Sequence, residues 1–422
     1  MALTNHSFVD FYFSANRWAS SVISFSIYLY FVLVKFMKRY LLALIIFLLT
    51  FLIVDFSLGR AYKVPWVLGY ISHPEVDTYL RPGSSGWFTR EGKSYVKVNN
   101  IGSNDSKNRY IKKQNVFRIA VIGDSYVEAV QVPSTKSFWY LLEVELNSTC
   151  KIPNKIYEVI PLGVSGHGPV QYYKTLISRS KKLSPDLNIV LFTTGNDVRN
   201  SSQFLEQKLS RKSLLGNRSF ISVDKDGSIE IQKTNISEDL SIVSKILLNN
   251  INIVERSNLL KIAIEVYSRI QNRESAEENK GNENFQEWND NNVYLPDSRL
   301  SKPWREAKLF TVKAVELIGE FNKISPVLAV IGTNESQVLP DLVDQQKILQ
   351  DLRITDFKEP NRFFANSLKV NGIDYVDILD SLGSSGLGIH GTYPKWSGHW
   401  NTKGHKLVSK VIADKVCSRI KN

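Results

Sequence analysis

The run Phe117-Arg118-Ile119-Ala120-Val121-Ile122 ends directly on Gly123-Asp124-Ser125. A short β-branched run closed by a glycine turn reads as a strand buried on both faces. The pattern recurs at Ile156 to Ile160, Leu187 to Thr193, Val327 to Ile331 and Tyr375 to Ile378. Helical spacing lies between the runs, as at Ser137 to Leu146. Buried strands alternating with helices predict an α/β fold: a three-layer α/β/α sandwich with about five parallel strands.

Two regions break the rhythm. Residues 201–300 read as an insertion, with helical spacing over Leu240 to Ile270 and a polar loop over Arg273 to Asn292. Either it shapes and covers the site, or it is a surface excursion. Residues 60–115 are a polar, glycine-containing lead-in. Before them, Leu41 to Leu58 is apolar apart from Thr50, Asp55 and Ser57, about the length that spans a bilayer. Lys35, Lys38 and Arg39 on its N-terminal side place the N-terminus in the cytoplasm and the main domain outside. The expectation is residues 37–60 as a single-pass signal anchor in the inner (cytoplasmic) membrane, with a domain at 61–422. A cleaved signal peptide fits less well, because no Ala-x-Ala pattern follows. Val22 to Val34 is too short and serine-interrupted to span by itself. Residues 1–36 read as an extension before Met37 or a segment on the membrane surface.

The 422 residues carry a formal charge of +12, but the lysines are scattered and no nucleic-acid motif accompanies them. No nucleic-acid partner is expected. Cys150 and Cys417 are the only cysteines, too few for a zinc site. They form either one disulfide or two separate thiols. No cofactor or metal is expected.

Ser125 falls where open α/β sheets place their sites, at the carboxyl end of a strand. The amides opening the next helix can face an anion there. Pro161-Leu162-Gly163-Val164-Ser165-Gly166-His167-Gly168 follows the second strand and lets backbone approach a ligand. Thr193-Thr194-Gly195-Asn196-Asp197 follows the third, and an asparagine there can donate its amide to a developing oxyanion. Trp396-Ser397-Gly398-His399-Trp400-Asn401-Thr402-Lys403-Gly404-His405 precedes a terminal amphipathic helix. A serine nucleophile needs a base at neutral pH, and histidine is the usual one.

In this order the four blocks resemble the SGNH (GDSL-type) hydrolase and O-acyltransferase superfamily, over roughly 116–200 and 326–418. Asn100-Ile101-Gly102 is similar to the lead-in of a membrane-anchored bacterial subgroup. The resemblance implies Ser125 as nucleophile and His399 as general base. It implies an oxyanion hole of the Ser125 amide, the Gly166 amide and the Asn196 side chain. It implies acyl-ester chemistry through an acyl-serine. The partner expected of an exported enzyme of this kind is an O-acylated envelope glycan, such as an O-acetylated one, or another ester.

The sequence departs from the pattern at one place. The family's acid stands two or three residues before the base, and those positions hold Ser397 and Trp396. Three readings stay open: Ser397 or a backbone carbonyl orients His399, Asp380 substitutes, or the site is impaired. Without a carboxylate partner the imidazole is expected to titrate below its ordinary value. An impaired site would make the chain a glycan-binding or assembly factor of the envelope.

Overall fold

The computed structural model describes residues 6–67, 69–107, 110–209, 217–224, 226–235, 250–280, 290–338, 345–382 and 398–421. The chain divides into two units, Met1–Tyr62 and Lys63–Asn422.

In the first unit α1 runs unbroken over His6–Ala61. No glycine or proline occurs between His6 and Leu58 to interrupt it. The part Ser24–Ala61 is long and apolar enough to cross a membrane. The two apolar stretches read separately from the sequence thus belong to one helix.

In the second unit the expected parallel sheet is present. Its strands are β5 (Val116–Ile122), β6 (Ile156–Pro161), β7 (Leu187–Phe192), β10 (Val327–Ile331) and β11 (Asp374–Asp377), in the order β11-β10-β7-β5-β6. Every pairing is parallel. Strand side chains alternate between faces, and both faces are apolar, so two cores form. Ile119, Val121, Ile189, Leu191 and Val330 pack against Phe138 and Leu142 of α3 (Phe138–Thr149) and Ile412 of the terminal helix, α10 (Thr402–Lys421). Ala120, Ile122, Val190, Phe192 and Ala329 face the other way. They meet Tyr172 of α4 (Pro169–Thr175), Trp304 of α8 (Lys302–Asn322) and Phe364 of α9 (Glu359–Val370). This is the α/β/α arrangement the alternation predicts.

Cys150, at the end of α3, is disulfide-bonded to Cys417 of α10, Cα to Cα 5.6 Å. Of the two sequence readings the structure takes the disulfide. Closing so long a loop stabilises a fold by about 2–4 kcal/mol.

The lead-in forms two antiparallel hairpins, β1 (Tyr70–His73) with β2 (Asp77–Leu80) and β3 (Ser85–Phe88) with β4 (Ser94–Lys97). Trp66, Leu80, Val96 and Val98 gather around Val130 in a small core of their own. Within 201–300, β8 (Asn217–Val223) pairs with β9 (Ile229–Asn235). Two helices follow, α6 (Ile251–Arg256) and α7 (Asn258–Lys280). The polar stretch expected to be a loop from Arg273 is therefore helical as far as Lys280. Its residues 281–289 lie outside the described ones, as do 240–249 of the expected helix.

Candidate active site

Three neighbouring strands, β10, β7 and β5, end at one edge of the sheet. Gly123 leaves β5 where a Cβ would stand 2.5 Å from Val127 Cγ2, so a larger residue would force the buried Val127 to shift. Asp124 then caps the short helix α2 (Ser125–Glu128), its Oδ1 accepting from the Tyr126 N–H at 3.0 Å. Its Oδ2 accepts from Asn196 Nδ2 at 3.1 Å, which ties the exits of β5 and β7 together. Asp124 is fully buried. Burial pushes its carboxyl up, against the hydrogen bonds from Tyr126 and Asn196 that pull it down. Asn196 opens α5 (Asp197–Asn200). Its turn is fixed by Asp197, which accepts from the Thr193 N–H at 2.9 Å and from the Tyr172 hydroxyl at 2.8 Å.

Ser125 Oγ lies 2.7 Å from His399 Nε2. On the far side of the ring, His399 Nδ1 lies 2.5 Å from Glu91 Oε2. With Nδ1 carrying the proton and donating to Glu91, Nε2 is free to accept from the Ser125 hydroxyl. Glu91 sits in the turn between β3 and β4, in the lead-in, 308 residues from the histidine. Sequence reasoning missed it. The one local signal is that Thr89-Arg90-Glu91-Gly92 links two short strands as a hairpin turn.

Asp380, a candidate for the orienting group, is corrected here. It is exposed and paired with Lys358 at 3.0 Å, while a carboxylate from the lead-in already occupies the Nδ1 side. Ser397 and Trp396 lie outside the described residues. The expected low histidine pKa is also overturned. Burial lowers the imidazole, but the Glu91 hydrogen bond and charge, with Asp124 and Glu335 behind them, more than offset it, and His399 is raised above its ordinary value.

The segment carrying His399 is anchored from both sides. The Tyr126 hydroxyl donates to the Gly398 carbonyl at 2.5 Å, and its ring lies 4.9 Å from the His399 ring. Trp400 is fully buried, and its Nε1 donates to Thr333 Oγ1 at 3.0 Å. Two further histidines of the sequence blocks have other places. His405 is buried, and its Nδ1 accepts from the Phe138 N–H at 3.1 Å. Burial, with Arg218 nearby, pushes His167 down to about 3, so it stays neutral.

Gly166 adopts φ +76°, the left-handed region. The turn is fastened beside it, the Ser165 N–H donating to buried Glu128 and the His167 N–H to the Val164 carbonyl at 3.1 Å. Ser125, Asn196 and His399 line a common cleft of about 240 Å³, and Gly166 is not among its lining residues. Polar groups form the opposite wall. Arg199 Nη1 donates to Asp290 Oδ2 at 2.5 Å, the Tyr294 hydroxyl to Asn334 Oδ1 at 2.6 Å, and Glu335 stands nearby. Among the described residues no group of three or more His, Cys, Asp or Glu side chains is placed to hold a metal ion.

No family model matches the chain, and no curated protein matches it. Solved structures do align with it. One is LAE5, an alpha/beta hydrolase enzyme from the metagenome of Lake Arreo, Spain, at 10% identity over 74% of this chain and 99% of that one, TM-score 0.35. A second is the lipase/acylhydrolase from Enterococcus faecalis, at 11% identity over 72% and 96%, TM-score 0.36. The acetyl xylan esterase AlAXEase aligns at 10% identity over 71% and 99%, TM-score 0.36.

Proposed function

We propose that this chain is an SGNH-type serine esterase or O-acyltransferase. The observation that carries the reading is the unbroken path Ser125 Oγ, His399 Nε2, His399 Nδ1, Glu91 Oε2, at 2.7 and 2.5 Å. In the reaction Ser125 attacks an ester carbonyl while His399 takes the hydroxyl proton. The tetrahedral oxyanion is held by the Ser125 amide and the Asn196 side chain, both in the cleft. Asn196 Nδ2 spends one hydrogen on Asp124, leaving the other for the oxyanion. The C–O bond then breaks, and the departing alkoxide takes the proton from His399. The acyl group stays on Ser125 until water, or another hydroxyl deprotonated by His399, attacks it. Glu91 stabilises the imidazolium in both halves.

The reading as a non-catalytic binding protein drew on the missing carboxylate, and Glu91 removes that support. The polar wall of the cleft favours a small acyl group on a hydroxyl-rich alcohol, such as an acetylated envelope glycan, over a lipid chain. Export and anchoring in the inner membrane through Leu41 to Leu58 are part of the proposal. Helix α1 supports anchoring. The Cys150–Cys417 disulfide supports an oxidising compartment.

A fluorophosphonate probe on the full-length protein in detergent tests the reading. The native chain should be labelled and Ser125→Ala should not; equal labelling of both would overturn it. Asn196→Ala should lower kcat for p-nitrophenyl acetate by about 100-fold or more, with KM changed far less. An unchanged kcat would remove Asn196 from the oxyanion hole.

A further inference from the structure

The acid reaches His399 from a hairpin that shares no strand pairing with the five-stranded sheet. Something other than the sheet ladder must therefore set its position. One side of the turn rests on the segment just after the nucleophile helix. Gly92, at φ +65°, lies so close to Gln131 that a Cβ would stand 2.2 Å from its carbonyl oxygen. The Ser94 hydroxyl donates to the Val130 carbonyl.

The other side is held by the insertion. Arg90 Nη2 donates to Glu265 Oε2 and to Ser268 Oγ of α7, both at 3.2 Å. Arg269, one turn along, donates from Nε to Glu265 Oε1 at 2.9 Å and from Nη2 to Thr89 Oγ1 at 3.3 Å. Thr89 and Arg90 immediately precede Glu91. Glu265 is the hub, only 8% exposed although it lies on a largely solvated helix. A second tie runs from Arg81, just beyond β2, to Glu255 of α6, which Lys261 also meets at 3.1 Å.

We propose that helix α7 of the insertion is a clamp that positions the triad acid, with Arg90, Glu265 and Arg269 as positioning residues. The inference rests on the serine-esterase reading and gives the insertion a part in it. Each surface ion pair is weak alone, but here they decide where a carboxylate falls. A misplacement of about 1 Å in a catalytic group can cost 100-fold in rate. When α7 is docked, Glu91 meets Nδ1 and the base is strong. When α7 lifts, the turn loses one of its two walls and the base weakens, while the sheet stays intact.

The test is a double-mutant cycle on the full-length protein. Arg90 and Arg269 are 52% and 59% exposed, so Arg90→Ala/Arg269→Ala leaves the core untouched. In the native background the pair should lower kcat for p-nitrophenyl acetate by about 10- to 100-fold. KM should stay within about twofold, because neither residue lines the cleft. The acidic limb of kcat/KM should move to lower pH, as the imidazolium loses its partner. In a Glu91→Gln background the same pair should change nothing further, since there is no acid left to position. No effect in the native background, or an equal loss in both, would overturn the clamp. Full turnover by Ser125→Ala would instead remove the esterase reading beneath it.

Discussion

Glu91→Gln is expected to slow p-nitrophenyl acetate turnover by about 1,000- to 10,000-fold while the fold survives. Replacing a triad acid by its amide costs about that much in other serine enzymes, because the imidazole loses its tautomer and the stabilisation of its charged form. The pH profile carries the more specific sign. The base must be neutral to accept the serine proton, so activity falls as His399 protonates. Its pKa is raised, with Glu91 the largest favourable cause. The acidic limb of kcat/KM should therefore lie above about pH 6.5, the ordinary histidine value. In Glu91→Gln the charge is gone, burial of the imidazole is no longer offset, and the limb should move to lower pH. A limb that stays in place would show that Glu91 does not act through His399.

The larger loss belongs to the nucleophile. Ser125→Ala should cut kcat by about a million-fold, as in other serine enzymes without their hydroxyl, with the remainder coming from binding and the oxyanion donors. The Ser125 hydroxyl is hydrogen-bonded to His399, and its helix is capped by Asp124. The variant should therefore melt like the native protein. Loss of turnover with an unchanged melting curve separates chemistry from folding. Native-like turnover would sink the central claim.

Much of the sheet and two of the three residues on the Ser125–His399–Glu91 path were legible in the sequence. Buried strands announce themselves because both faces must be apolar, and Val116–Ile122 and Leu187–Phe192 carry that pattern apart from one buried polar residue each, Arg118 and Asn188. Ser125 and Asn196 were readable because they follow such strands at once. Glu91 was not. It lies on a turn between two four-residue strands whose burial is mixed, where neither periodicity nor a buried run fixes position. Nothing local marks one exposed-type glutamate as a histidine's partner 308 residues away. Asp380 was one of three readings left open for the orienting group, yet it faces solvent beside Lys358. At the N-terminus, apolar length alone suggested two stretches. The helix continues through Lys35, Lys38 and Arg39 because basic side chains are good helix formers and no breaker intervenes.

The separate pairing of β3 with β4 has a thermal consequence. Proteins open in parts before they unfold as a whole, and the parts with the smallest cores open first. Trp66, Leu80, Val96, Val98 and Val130 are the buried residues of the hairpin's core, against two far larger clusters on the sheet. On warming, the hairpin should swing away while β5, β7 and β10 remain paired. Amides of β3 and β4 should then exchange with deuterium well before those of the sheet, and esterase activity should fade below the melting temperature. The protein would go silent while still folded, and cooling would restore it without refolding.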